Sequence, residues 1–454
     1  MIRKNWVKIL FMIVLVASII FRFGLLHIFK GLWWDEAVYL SLGRDILRGK
    51  YSIDGDMETF RPPLFPFINA LGHILGGEYV TRIIVLIFSI LGMITTLYLG
   101  KSLYDKEIGF LAAVFVAASP LYLFFGQKIL TESIFVTFSS VALLTFYLGV
   151  EKNRKYLYLT SIFTALSCLT KYFGFYLLFF YILYVIFRKK IKIIKKKEFW
   201  ISVILFLLFL SPIFVIGMVY YKNPVGGILK NILIYQTASK EPYYIYITNS
   251  IEIFGLSALL IPFGIFWMLR DRKASNTLIL ISCILPFLIF SFVMQHRETR
   301  YLVSFLPIFG CVFGFTVKKL VKKTRSIIII IVVLFLAYSF YLGYEKVSMD
   351  RNSGEALKNG SLFIGELTEK EEYIMSESYP YISYYADRNV IIPPDTKEKF
   401  YRDLNEYKIR YVLINLFEPG NPDYLSDELQ SKNFEEVEWF SQWGYRAVII
   451  YKKL

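Results

Sequence analysis

The sequence predicts an α-helical polytopic membrane protein that ends in a small extracytoplasmic α/β domain. Composition is the first observation: the 454 residues are 56% hydrophobic, 18% aromatic and 19% charged, with a mean hydropathy of +0.51. Soluble domains carry about 25% charge. The second is the recurrence of apolar runs near the roughly 20 residues that cross about 30 Å of hydrocarbon. The third is a split in charge. From Glu345 on, 20 acids outweigh 14 bases, whereas the first 344 residues carry 37 bases against 16 acids. The net charge of +15 therefore belongs to the apolar part, where loop Lys and Arg orient helices, and no nucleic-acid partner is expected.

The apolar runs place about eleven crossings at 6–29, 79–100, 107–123, 131–150, 156–170, 172–187, 200–220, 251–269, 276–294, 301–317 and 326–344. The first follows a basic start, MIRKNWVK, and lacks a small-residue cleavage site, so it reads as an uncleaved helix. The pair around Lys171 is short and reads as two spans, as broken helices or as a re-entrant piece. Cys168, Cys283 and Cys311 all fall inside apolar runs without paired spacing and read as buried small residues.

Orientation follows the basic loops. With Arg3, Lys4 and Lys8 in the cytoplasm, every dense basic cluster falls on that side, including RKKIKIIKKK (Arg188 to Lys197) and KKLVKKTR (Lys318 to Arg325). The opposite face receives the loop 30–78, the turn before Glu132, Lys171, the 221–250 loop, QHRETR (Gln295 to Arg300) and the tail. The chain thus divides into a membrane domain, 1–344, and an extracytoplasmic domain, 345–454. In the tail EYIMSES, NVIIPP, IRYVLINL and YRAVIIYKK read as strands and DTKEKFYRDLNEY as a helix.

Several ionisable residues gather on the outer face, where charge at membrane depth marks function or pairing. Asp35 and Glu36 follow two tryptophans in LWWDEAVY. They read either as a solvated loop start beside an aromatic belt or as a carboxylate that takes a proton from an acceptor hydroxyl. Glu132, after Thr131, reads as a helix-start acid favoured by the dipole or as a second working carboxylate. Arg61 precedes Pro62 and Pro63, which keep it outside a helix, and snorkelling is its plain alternative. Lys171 lies on the face where bases are rare. His296, Arg297 and Arg300 bring three potential cations to one helix mouth, which a bound anion would explain, because guanidinium forks suit phosphate oxygens. HRETR lacks the second histidine of a zinc-protease helix. Arg22, inside the first span, needs a partner or a route to the interface. A base near an acceptor and cations near a phosphate suggest group transfer from a phospholipid-like donor.

In their order, WWDEAVY, FRPPLFPF, LTES, LTKYFG and HRETRYLVSFLP resemble the GT-C fold glycosyltransferases that use polyprenyl-phosphate sugars. The nearest branch is the protein mannosyltransferase and aminoarabinose transferase superfamily, and the resemblance spans roughly residues 1–345. It implies a multi-pass cell-membrane enzyme that moves a monosaccharide from a dolichyl- or undecaprenyl-phosphate donor to an extracytoplasmic protein, lipid or glycan by inverting displacement. It implies Asp35 as the base, Glu36 as its partner and Glu132 as a second acidic position. Arg61, Lys171, Tyr172, His296, Arg297, Arg300 and Tyr301 would contact the donor phosphate or line its pocket. No eukaryotic-type β-trefoil repeat is visible, and WWDEA stands in the first outer loop, unlike the WWDYG of oligosaccharyltransferases. No metal cage is evident, so no obligatory metal is expected, although some relatives use a divalent ion. The alternative reading is a membrane transporter or lipid flippase. Transport sites sit near the midplane between repeated halves, and no inverted repeat is evident.

Overall fold

The computed structural model describes residues 2–54, 57–237, 241–321, 325–417 and 420–454. Lys322 and Lys323 of the basic KKLVKKTR cluster lie outside the described residues. The chain forms two compact units. One holds Met1–Leu26, Phe60–Phe65 and Tyr79–Val347; the other holds His27–Thr59, Pro66–Glu78 and Ser348–Leu454.

The first unit is helical, and helix overlaps each of the expected apolar runs, the run at 6–29 leaving helix after Gly24. By length and composition, six helices among the described residues suffice to cross a membrane: Leu64–Leu103, Glu132–Glu151, Lys197–Tyr221, Ser250–Arg270, Ala274–Val293 and Ile329–Met349. The other spans are shorter or broken, for local reasons. Asp105 caps Lys106–Ala118 by accepting the N–H groups of Glu107 and Ile108 at 3.0 and 3.2 Å. Ser119 and Pro120 then stop that helix and start Pro120–Phe125, dividing the run expected at 107–123. The expected 301–317 span divides into Arg300–Val303 and Leu306–Val321.

Close helix contacts rest on small residues. Gly310 and Gly314, one turn apart, lie so near the helix Lys106–Ala118 that an added Cβ would meet the Ala112 and Ile108 carbonyl oxygens at 2.8 Å. Arg22 is wholly buried. It donates to Ser89 Oγ at 2.9 Å, to Ser18 Oγ and to the Tyr122 carbonyl at 3.4 Å, so it has internal partners and needs no route to an interface.

The second unit contains a five-stranded sheet of order β2-β1-β3-β5-β4. Its strands are β1 (Tyr373–Met375), β2 (Asn389–Ile391), β3 (Tyr411–Asn415), β4 (Phe434–Gln442) and β5 (Tyr445–Lys453). β1 runs parallel to β2 and β3, and β5 runs antiparallel to β3 and β4. Amphipathic Lys397–Glu406, capped by Thr396, drives Phe400 and Leu404 into a core with Met375, Val412, Leu425 and Ile449. Four strands and this helix match expectation; β4 was not foreseen.

The segment 30–78, expected as a loop, is largely helical. It forms Trp34–Leu47 and the start of Leu64–Leu103. Gly76 and Gly77, at φ 149° and 72°, kink the latter helix where a side chain would be strained. Except for Phe60–Phe65, the segment belongs to the same unit as the sheet. Arg48 makes two hydrogen bonds of 2.7 Å to Asp387, and Arg44 pairs with Asp387 and Asp45 at 2.9 Å. The Arg48 hydrogen bonds hold the Asp387 carboxyl below its usual range.

Asp54 Oδ2 accepts the Val390 N–H at 3.0 Å. Burial raises its carboxyl to about 6; the Val390 bond opposes the rise and Asp45 adds to it. An acid raised in the fold stabilises the folded state below its unfolded value, and that contribution is lost as pH rises through about 6. Asp54→Asn keeps an acceptor for Val390. It is expected to stabilise the detergent-solubilised protein by roughly 1–3 kcal/mol at pH 7.5 and to give no gain at pH 4. Thermal unfolding at both values checks this, and an equal gain at pH 4 contradicts it.

Candidate active site

Charged residues in the helical unit meet around the start of Glu132–Glu151. The preceding residues, GQKILT, form tight turns: Lys128 donates its backbone N–H to Phe125 O at 3.3 Å and Leu130 to Lys128 O at 2.7 Å. Arg82 Nη1 anchors this stretch by donating to the Gln127 carbonyl at 3.0 Å. Arg82, Gln127, Lys128 and Glu132 are all buried.

Lys171 completes the arrangement. The helix Tyr156–Thr170 stops before it, Lys171 itself is extended, and Tyr172–Phe175 turns as a 3₁₀ segment before Tyr176–Phe187. The break, one of the readings open from the sequence, sends Nζ to Glu132 Oε1 at 2.9 Å. The Glu132 side chain is 1% exposed and that of Lys171 14%, so attraction acts there with little screening. Lys171 Nζ also stands 5.0 and 5.6 Å from the ring centroids of Phe173 and Tyr301. Glu132 Oε2 is buried without a hydrogen-bond partner among the described residues. An ammonium has three donors, so Lys171 can hold Glu132 and still bond an anion.

HRETRY forms an adjoining wing with Glu298 at its hub. Its Oε1 meets His296 Nε2 at 2.7 Å, Arg300 Nη2 at 2.9 Å and the Tyr301 hydroxyl at 3.2 Å. Tyr235 stacks on His296 at 5.9 Å and meets Tyr301 edge-on at 6.0 Å. Arg297 points elsewhere. It donates to the carbonyls of Ser291 at 3.0 Å, Gln295 at 3.4 Å and Glu241, which makes it a strut of its loop. Arg61 lies over the Phe60 ring at 5.7 Å, and Tyr172 donates to Phe60 O at 2.9 Å. Arg61's segment is thereby tied to the residue after Lys171.

The helical unit thus brings together Glu132, Lys171, Tyr172, His296, Arg300, Tyr301 and the Arg61 segment. Asp35 and Glu36 belong to the other unit, in the first turn of Trp34–Leu47. Glu36 is fully buried and its Oε2 accepts the Trp33 N–H at 2.8 Å, closing the helix start as an N3 acid does. Asp35, half-buried, immediately precedes it. Trp33 Nε1 donates to both Asp350 oxygens at 3.1 and 2.9 Å, and Trp34 meets the rings of Tyr379 and Tyr381 edge-on at 5.1 and 6.3 Å. The Glu298 hub and the buried Arg82 and Lys128 were not singled out from the sequence. Arg82 had left a signal, a charge inside a predicted span.

The fold, a helical body of apolar spans broken at buried charge with a small mixed-sheet unit, is shared with solved glycosyltransferases of the GT-C fold. Residues 60–216 match the family described as dolichyl-phosphate-mannose-protein mannosyltransferase. Over 359 residues the chain is 24% identical to an uncharacterized protein of Aquifex aeolicus, covering 74% of this chain and 70% of that one. Among solved structures, ArnT from Cupriavidus metallidurans bound to undecaprenyl phosphate superposes with a TM-score of 0.75 at 12% identity, covering 98% of each chain. The oligosaccharyltransferase of Archaeoglobus fulgidus in its apo form gives 0.70 at 14% identity, over 91% of this chain and 70% of that chain.

Breaking a buried ion pair from one side costs about 3–5 kcal/mol, because the other charge is left uncompensated. Glu132→Gln and Lys171→Met are each expected to lower thermal stability strongly. The double variant should fall short of the summed losses by about 1–3 kcal/mol. Additive losses in that double-mutant cycle show that the two charges do not depend on each other.

Proposed function

We propose that this chain is an integral membrane glycosyltransferase that moves a monosaccharide from a polyprenyl-phosphate donor to an acceptor hydroxyl of an extracytoplasmic protein, lipid or glycan. The observation that carries the reading is the buried Glu132–Lys171 pair beside the Glu298-centred wing, within a GT-C architecture. One solved structure of that architecture holds undecaprenyl phosphate, and another, AglB of Archaeoglobus fulgidus, holds an inhibitory peptide and a dolichol-phosphate. The lipid chain, dolichyl or undecaprenyl, and the acceptor, protein, lipid or glycan, stay open in this reading.

The transfer is a single displacement with inversion. Asp35 takes the acceptor proton as the acceptor atom bonds the anomeric carbon. The bond from that carbon to the phosphate oxygen breaks, and its electron pair leaves on the polyprenyl phosphate. Lys171 and Arg300, with Arg61, stabilise the charge on that leaving group, while Glu298 fixes the Arg300 fork and His296. Glu132 aims Lys171 through the 2.9 Å contact. Glu36 supports Asp35 by holding its helix start. The basic loops support a cytoplasmic N-terminus and an extracytoplasmic C-terminal domain, with about eleven crossings.

Purified protein in nanodiscs, offered labelled polyprenyl-phosphate sugars and an extract of acceptors, tests the reading. Turnover is expected, and glycan mass profiles of a deletion strain should lack one sugar; binding without turnover supports the transporter or flippase. Asp35→Asn should lower transfer roughly a hundred- to ten-thousand-fold with unchanged thermal unfolding, and full activity removes Asp35 as the base. Arg300→Glu should raise the donor concentration needed for half-maximal rate, and an unchanged requirement argues against phosphate contact.

A further inference from the structure

A cavity of about 400 Å³ opens among the helices Glu132–Glu151, Tyr156–Thr170, Tyr176–Phe187 and Lys197–Tyr221 of the helical unit. Phe146, Leu178, Tyr181, Ile182 and Phe206 contribute its walls, and Ile191, Ile193 and Ile194 its rim. That volume falls within the roughly 300–1,000 Å³ of ligand pockets, but the chemistry is narrower than usual. The hydroxyls in the wall are already committed. Thr160 donates to Tyr156 O at 3.0 Å, Ser161 to Leu157 O at 2.9 Å and Ser202 to Glu198 O at 2.7 Å; Thr164 and Tyr181 bond each other at 3.0 Å. Most hydroxyl hydrogens in the wall are spent on helix carbonyls, so a polar ligand would find few donors, whereas a hydrocarbon chain needs none.

The rim differs. Ile191–Lys195 is a 3₁₀ turn, in which residues three apart eclipse. Ile191 and Ile194 therefore share one row and Lys192 and Lys195 another. Lys189, Lys196 and Lys197 flank the turn. Lys190 pairs with Glu151 at 3.2 Å; among the described residues no ion pair engages Lys189, Lys192, Lys195, Lys196 or Lys197. Clusters of four to eight basic residues beside a membrane helix attract anionic headgroups. Apolar walls under a lysine row fit one amphiphile.

We infer that this cavity is a binding site for an acidic phospholipid, with an acyl chain between the helices and its phosphate on Lys192, Lys195 and Lys196. The site is independent of sugar transfer. The full chain, purified in detergent with equal phosphatidylglycerol and phosphatidylcholine of matched chains, is examined by native mass spectrometry. Retention of phosphatidylglycerol on the order of tenfold above phosphatidylcholine is expected. Lys192→Gln/Lys195→Gln/Lys196→Gln, all on exposed side chains, should abolish the preference while lipid still binds. Ile182→Trp, which fills the cavity from its lipid-facing wall, should reduce bound lipid of both kinds. Equal retention by the unaltered protein, a preference that survives the triple substitution, or displacement of phosphatidylglycerol by millimolar inorganic phosphate alone overturns the inference.

Discussion

Charge enclosed by an apolar helical body has to be compensated where it stands, because neither water nor salt reaches it. That constraint organises the membrane unit around Glu132 and Lys171. Glu132 starts one helix and Lys171 lies in the extended break between two others, where its side chain makes the 2.9 Å contact. The cost of that irregular backbone is tolerable inside protein but not against lipid, so the break lies among Phe173, Tyr301 and Phe290. Glu298 solves the same problem for the neighbouring wing by gathering His296, Arg300 and Tyr301 on one carboxylate. The first device leaves donor capacity unspent, since an ammonium held by one carboxylate oxygen has further N–H groups to give.

The smaller unit shows a different economy of charge. The helix that starts at Trp34 is fastened along its length. Asp350 takes the Trp33 indole, Tyr379 and Tyr381 flank Trp34, the Pro380 carbonyl receives Ser41, and Asp387 grips Arg44 and Arg48. These contacts fix the rotation of the helix, and hence where its first-turn acids point. Glu36 is consumed in holding the helix start, so the pair of acids that looks equivalent in WWDE is not equivalent in the fold.

Legibility in the sequence followed the strength of local signals. Long apolar runs announced the helical body, and short runs rich in Val, Ile and Tyr in IRYVLINL and YRAVIIYKK announced two strands. β4 escaped because FEEVEWFSQ is an edge strand with most of its residues exposed, so three glutamates obscured the alternation. Trp34–Leu47 escaped because its buried face, which includes Ser41, Arg44 and Asp45, is partly polar and becomes a core only when Tyr379 to Asp387 pack on it. Lys171, Glu132, Arg300 and Tyr301 were visible as charge and aromatics in unusual places. Their partners were not, because the Glu132–Lys171 contact joins residues 39 apart and no spacing rule reaches that far. Arg297 read like its neighbour Arg300, and only backbone geometry separates a carbonyl-bound strut from a side chain held by Glu298.

The small unit draws on three stretches of chain, His27–Thr59, Pro66–Glu78 and Ser348–Leu454. During synthesis the helix bearing Asp35 emerges roughly 300 residues before Asp350, Tyr379 and Asp387. At about 5–20 residues per second, it waits on the order of 15–60 s for the partners that orient it. A chain interrupted after its last membrane helix would be inserted and largely folded, yet its first-turn acids would have no fixed direction. Maturation of this end of the molecule is therefore timed by the arrival of the last quarter of the polypeptide.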